Sequence, residues 1–224
     1  MSERGDPGEA SVRRLLVVDD HPIVRQGVRL LLESEPDLTV CAEAENTRDA
    51  LRAAAASEPD VAIVDLSLPG AGGLELIRAL RAEHPRILLL VLSMHEEQVY
   101  AERALRAGAH GYVSKQEAPG EMVRALRRIL AGQRFLSEGA ASHVLARLAG
   151  DADLESADPI RRLSDRELEV FRLIGSGLGT RQIAQALHLS VKTVESHRAG
   201  IKHKLGLRSG IELVRQAVQT AASL

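Results

Sequence analysis

The chain is 224 residues long, 45% hydrophobic and 27% charged, the balance of an ordinary globular protein with room for one or two cores. Its single cysteine, Cys41, excludes an intrachain disulfide framework, and its longest apolar run, Ile87 to Leu92, is too short to span a bilayer. With a polar start at Met1–Pro7 that lacks a signal-peptide core, these features predict a cytoplasmic protein with no membrane partner.

Residues 12–132 alternate apolar runs with helical patterns. The runs lie near 14–18, 39–44, 61–65, 86–93 and 111–114, and the helices near 22–34, 47–57, 73–84, 97–107 and 120–131. Short apolar runs between helices read as buried parallel strands, so the prediction is an α/β domain with a doubly wound, five-stranded parallel sheet. Gly108 and Gly132 follow the fourth and fifth helices as C-caps. Residues 133–158 read as a linker, with one connecting helix near 138–148 and an acidic stretch from Asp151 to Pro159.

From 159 to 224 the strand signals vanish and four helices remain, predicting a separate all-α domain. Ser164 and Glu167 form a capping box opening a helix to Ile174. Thr180 to Leu187 is a short helix, and His188-Leu189 turn into Ser190, which caps a longer helix to about Leu205. Ser209 and Glu212 make a second capping box, starting a final helix to about Ala222. The formal net charge of −2 hides an asymmetry. Residues 1–156 hold 18 Lys and Arg against 25 Asp and Glu, whereas residues 157–224 hold 11 against 6. A basic block on an acidic body points to nucleic acid as the partner of the smaller domain.

Five residues carry the chemistry of the first domain: Asp19, Asp20, Asp65, Ser93 and Lys115, each closing an apolar run. Parallel strands end on one edge of their sheet, so these residues converge on the crevice where doubly wound sheets bind ligands. Three carboxylates repel one another unless a cation neutralises them, and Mg²⁺ suits a site of few carboxylates plus water and phosphate oxygens. Asp65, on the most central strand, is then the candidate phosphoryl acceptor. Lys115 and Ser93 are placed to contact the transferred group.

The constellation resembles the receiver domain of bacterial response regulators, a CheY-like fold. Asp19-Asp20-His21-Pro22-Ile23-Val24-Arg25-Gln26-Gly27, Asp65-Leu66-Ser67-Leu68-Pro69 with Gly72-Gly73, and Leu92-Ser93-Met94-His95 are similar to the nitrate-response (NarL/FixJ) type. The resemblance implies phosphorylation of Asp65 by a sensor histidine kinase. It also implies Mg²⁺ held by Asp19, Asp20, Asp65 and the backbone carbonyl of Ser67, with Ser93, Lys115 and Tyr112 as switch residues. For Tyr112 a plain core role stands beside the switch role. His21 reads as a residue that orients the loop rather than a catalyst. Met94 is expected to narrow water's approach to the phosphorylated site, while His95 could orient a water. Gln116 stands where many receivers have proline, so no cis peptide is expected there.

Residues 163–207 resemble LuxR-type DNA-binding domains. Gln182-Ile183-Ala184 and Leu187 through Val194 form a helix-turn-helix signature. Val194, Ile201 and Leu205 make the apolar back of the second helix, and Lys192, Ser196, Ala199 and His203 its polar front, suited to the major groove. Lys192 and Thr193 are candidates for phosphate or base contact, and Arg181, Arg198 and Lys202 for phosphate contact. Glu195 is open between reading a base and pairing within its helix to Lys192 or Arg198. Ile211, Val214, Ala217, Val218 and Ala221 form an apolar stripe on the last helix, a candidate homodimer contact.

Together these features predict a response regulator that binds promoter DNA as a dimer once Asp65 is phosphorylated. It would be no enzyme beyond its own phosphoryl transfer and dephosphorylation. One alternative is a regulator whose silent receiver is controlled by a partner. The other, a Mg²⁺-dependent aspartyl-nucleophile phosphohydrolase, fits poorly, because its Asp-x-Asp on the first strand and its cap insertion are missing.

Overall fold

The computed structural model describes residues 12–70, 72–94, 97–117, 119–142 and 159–223. The first domain runs β1 (Arg13–Val18), α1 (Pro22–Leu32), β2 (Leu38–Ala44), α2 (Thr47–Ser57), β3 (Val61–Val64), α3 (Gly73–Glu83), β4 (Leu88–Ser93), α4 (Glu97–Ala107), β5 (Gly111–Ser114) and α5 (Pro119–Leu130). All five strands are parallel in the order β2-β1-β3-β4-β5. The chain leaves β1 toward one edge for β2, then returns past it to β3. The strand order therefore reverses between β1 and β3, and that gap is the crevice of the fold.

Alternation along the strands assigns the helices to two layers. Leu15 and Val17 face Val28 and Leu32 of α1 and Met122, Leu126 and Ile129 of α5. Leu16 and Val18 face the other side, with Ala50 and Ala54 of α2, Ile77 and Leu80 of α3, and Ala101 and Ala104 of α4. The central strands β3 and β4 and the Leu15–Val18 part of β1 are buried on both faces and read as continuous apolar runs, whereas the edge strand β2 is only partly buried and carries Thr39 and Glu43.

The helical domain begins with a 3₁₀ turn (Pro159–Arg162), followed by α6 (Asp165–Gly175), α7 (Thr180–Ala186), α8 (Val191–Leu205) and α9 (Gly210–Ser223). Both halves of the α6 capping box form: Glu167 N donates to Ser164 Oγ at 3.3 Å and Ser164 N to Glu167 Oε2 at 2.7 Å. At α9 the box is altered. Glu212 N donates to Ser209 Oγ, but the Glu212 carboxylate accepts from Arg208 N.

The expected boundary at 132 does not end the packing of the first domain. Phe135 is buried, its amide donates to His110 O at 3.1 Å, and its carbonyl accepts from Tyr112 N at 3.0 Å. The chain thus adds a parallel bridge beside β5, and Arg124 lies over the Phe135 ring. Residues 138–142 are helical, and the rest of the expected connecting helix and linker, 143–158, lies outside the described residues, as does His95.

The two domains meet through α3 and α4 on one side and α6 on the other. Asp165 accepts from Arg103 at 2.7 Å and from Arg78, and Arg103 also donates to Leu163 O at 2.8 Å. Burial works to raise the Asp165 pKa, but hydrogen bonds from Arg78 and Arg103 outweigh it and hold the carboxyl below its ordinary range. Tyr100 of α4 is enclosed in the same interface, and burial pushes its hydroxyl up to about 12. Nothing in the sequence marked Arg78, Arg103 or Asp165 for this role. Asp165→Ala removes the shared acceptor and is expected to weaken docking by about 1–3 kcal/mol. Small-angle scattering should show a larger radius of gyration; an unchanged profile would mean that apolar contacts alone hold the domains together.

Candidate functional site

The crevice collects the end of every strand it was expected to collect. Asp19 and Asp20 follow β1, Asp65 follows β3, Ser93 closes β4, and Lys115 follows β5. Asp19, Asp65 and Ser93 are buried, and the Lys115 side chain is 10% exposed. Lys115 Nζ lies 2.6 Å from Asp19 Oδ2 and 2.9 Å from Asp65 Oδ2, one ammonium bridging two carboxylates. Its backbone amide donates to Ser93 O at 2.8 Å, which ties the lysine to the neighbouring strand end. Among the described residues every peptide bond is trans, including the one into Gln116.

Backbone geometry around Asp65 is equally restrained. Asp65 N donates to Val18 O at 2.9 Å, continuing the ladder one residue past the strand. Gly73 N donates to Leu66 O at 3.1 Å, and a Cβ on Gly73 would sit 2.1 Å from Asp65 O. Only glycine lets α3 start this close to Asp65. Ser67 stands two residues after Asp65, and its backbone amide helps to lower the Asp65 pKa.

Burial pushes the Asp65 carboxyl above the usual carboxylate range. The Lys115 ammonium opposes this, and the nearby charge of Asp19 adds to it. For Lys115 burial opposes the charge, but hydrogen bonds to Asp19 and Asp65 outweigh it and raise its pKa. Asp65 Oδ1 is buried and accepts no hydrogen bond of normal geometry among the described residues. One ligand atom from each of Asp19, Asp20, His21 and Asp65 lies within 4.8 Å of the others. A buried carboxylate oxygen lacking a proton donor, within reach of two more carboxylates, fits a small hard cation such as Mg²⁺.

His21 takes the loop-orienting part. It is the N-cap of α1 ahead of Pro22, its amide donates to Asp19 Oδ1 at 2.9 Å, and its Nδ1 is 2.7 Å from Asp20 Oδ1. Arg25, inside the Asp19–Gly27 motif, donates through NH1 to Asp19 O at 2.7 Å. The signal was present: Arg25 falls one helical turn into α1, where a side chain can reach back over the acid loop. Tyr112 is fully buried in the core, with Val91 of β4 opposite it. Met94, directly after Ser93, is 57% exposed and lines a cavity with His21 and Lys115.

The second candidate surface is α8. Ser190 caps it, accepting from Thr193 N at 3.0 Å and sharing a hydrogen bond with Thr193 Oγ1. Val194 and Ile201 are buried, while Lys192, Ser196, Ala199 and His203 are exposed, so the divided surface forms as expected. Arg181 is exposed near the start of α7, and Arg198 and Lys202 are half-buried. Glu195 pairs neither with Lys192 nor with Arg198; it accepts from Thr180 Oγ1 at 2.9 Å. The turn before α8 places His188 in the left-handed region at φ 51°.

The stripe on α9 needs one correction. Ile211, Val214 and Val218 are exposed, but Ala217 is 1% exposed and, like Leu213, belongs to the core. Positions 213 and 217, one turn apart, form the inward face, so the outward stripe lies to one side of them. Ala221 lies outside the described side chains.

Because Asp65 is held above its ordinary pKa, it binds its proton more readily in the fold than in the unfolded chain. It therefore favours the fold in acid, and this contribution is lost as pH rises through the raised folded value. At pH 7 without metal, Asp65→Asn should raise Tm, on the order of the 2–4 °C that 1 kcal/mol produces at this size. The gain should shrink toward pH 4. Calorimetry in chelator decides, and a variant melting at or below wild type at pH 7 would show that the Lys115 pairing outweighs burial.

The chain matches the response regulator receiver domain over residues 15–127 and the bacterial regulatory proteins of the luxR family over 161–217. It is 35% identical to the response regulator UvrY of Escherichia coli, over 92% of this chain and 93% of that protein. Against the oxygen regulatory protein NreC of Staphylococcus aureus the identity is 33%, over 92% and 97%. Among solved structures it resembles the Salmonella typhimurium RcsB response regulator, with a TM-score of 0.71 and 28% identity over 93% of this chain and 98% of that one. A further RcsB structure, bound to the promoter P1flhDC in the presence of phosphomimetic BeF₃⁻, gives a TM-score of 0.67 at 28% identity over 92% and 98%.

Proposed function

Since the chain belongs to the response regulators that join a receiver domain to a LuxR-type DNA-binding domain, we propose that Asp65 is its phosphoryl acceptor and α8 its DNA-reading helix. The donor would be the phosphohistidine of a sensor kinase. An Asp65 carboxylate oxygen attacks phosphorus, the new O–P bond forms as the P–N bond breaks, and the imidazole leaves with the electron pair. Asp65 Oδ1, buried and accepting no hydrogen bond among the described residues, is the observation that carries this reading.

The roles of the other residues follow from position. Lys115 already bridges Asp19 and Asp65, so its ammonium is at hand for the charge of the incoming group. Ser93 offers a hydroxyl from the adjacent strand, and Tyr112, on the strand beyond, supplies the core element that follows it. Asp19, Asp20, Asp65 and the Ser67 carbonyl would hold Mg²⁺, whose contribution when bound is to neutralise the crowded oxygens. Beyond this self-directed transfer and the hydrolysis of the resulting aspartyl phosphate to inorganic phosphate, we assign no enzymatic activity. Asp65→Asn should abolish Mg²⁺-dependent labelling from acetyl phosphate; full labelling in that variant would sink the assignment. Wild type that takes no label from acetyl phosphate or kinase would favour a silent receiver.

For DNA, Lys192 stands in the first exposed turn of α8, beside an N-terminus whose amides suit a phosphate. We assign Lys192 and Thr193 to phosphate or base edges, Ser196 to the groove face, and Arg181, Arg198 and Lys202 to the backbone. Ile211, Val214 and Val218 remain the dimer contact of the DNA-bound form. Among the described residues no helix is long and apolar enough to cross a membrane. Lys192→Ala should weaken binding to all sequences and reduce the salt slope by about 1. Glu195→Ala should relax preference at one base pair by roughly 1–3 kcal/mol. Selection from a randomised DNA pool checks both; an unchanged Glu195→Ala motif would leave Glu195 as a brace to Thr180 only.

A further inference from the structure

The acid loop leaves the sheet at Asp19. Its amide completes the ladder by donating to Ala44 O at 3.1 Å, but no strand lies beyond to receive its carbonyl. A buried carbonyl must find a donor or pay the loss. Arg25 supplies it: NH1 donates to Asp19 O at 2.7 Å, from a side chain only 15% exposed. The same guanidinium is gripped from behind, its Nε donating to Glu43 Oε2 at 3.2 Å. Glu43 stands on β2 with Val17 of β1 opposite it, and its other oxygen takes Arg29 from the next turn of α1.

We propose that Arg25, held by Glu43, is a positioning residue that fixes the Asp19–Asp20 peptide and so presents both carboxylates to a divalent cation. The peptide unit is planar, so locking the Asp19 carbonyl also sets the direction of the Asp20 amide and the place of its Cα. A relay from β2 through α1 to the β1 loop thus governs where Asp20 enters the crevice. Two acceptors at fixed places suit the planar fork of arginine; a lysine ammonium is a single point and cannot bind both in that geometry. Glu43 has a second part. It balances the charge of Arg25 and keeps the guanidinium on the carbonyl, so that it does not occupy the carboxylates in place of the metal. The proposal rests on the reading of Asp19, Asp20 and Asp65 as the Mg²⁺ site.

The test is Mg²⁺ titration by calorimetry on the full-length protein, with amide exchange at His21 followed in metal-free buffer. The His21 amide reports the loop because it donates to Asp19 Oδ1. Arg25→Met should weaken Mg²⁺ binding by about 10–100-fold, the usual cost of losing an outer support of a metal site. It should also speed exchange at His21 while leaving β3 and β4 amides unchanged. Arg25→Lys should fail to restore wild-type affinity, and Glu43→Gln should weaken binding less than Arg25→Met. An Arg25→Met protein that binds Mg²⁺ as tightly as wild type, with unchanged exchange, overturns the brace. If Arg25→Met does not fold, the other two variants decide, and wild-type affinity in both overturns it. A wild-type chain that takes up no Mg²⁺ sinks the site reading itself and this proposal with it.

Discussion

Lys115 shares one ammonium between Asp19 and Asp65, and the rest of the first domain is arranged so that this can happen. The carboxylates come from strands adjacent in space but separated in sequence by a helix, a strand and another helix. Bringing them together in a buried crevice costs free energy through desolvation and mutual repulsion, and the raised pKa of Asp65 is the sign of that cost. The apolar packing of helices against both sides of the sheet offsets it. The lysine reduces the repulsion without removing it, and among the described residues one oxygen of Asp65 has no hydrogen-bond donor. A site held in this condition favours whatever brings positive charge to it.

The helical domain docks close to this chemistry. Leu66 and Gly70, Gly72 and Gly73 in the stretch after Asp65 line a cavity of about 520 Å³ with Tyr100, Asp165 and the turn at Leu187–Leu189. The loop that follows Asp65 therefore ends against the helical domain. Yet the front of α8 stays exposed in this arrangement. Contact between the domains leaves this face of α8 uncovered, and docking by α6 fixes the direction in which it points.

Most of the first domain was legible because burial on both faces writes a plain signal. Val61–Val64 and Leu88–Leu92 are apolar at every position, and the chemical residues stand at the ends of such runs, where parallel topology gathers them without any knowledge of contacts. Capping residues Ser164 and Ser190 marked helix starts for an equally local reason. What escaped was decided by tertiary geometry. Ala217 and Val218 are neighbours of similar character, and only the rotation of α9 against α6 tells which is core. Glu195 found its partner in Thr180, fifteen positions away on another helix, where intrahelical spacing could not point. Asp165, read only as an acid in a helix's first turn, answers to two arginines about 60 and 90 residues earlier.

The segment after α5 shows how a short stretch of chain changes what a sheet can do. β5 is an edge strand, and an edge offers unpaired amides and carbonyls on which another molecule can build. Phe135 occupies that edge, bonding on either side of Gly111 while its ring is buried against the domain. A fragment cut at residue 132 would keep every helix and strand of the α/β domain and lose this cover. Its exposed border would invite strand-to-strand aggregation, so the natural unit to excise for separate study ends beyond Phe135.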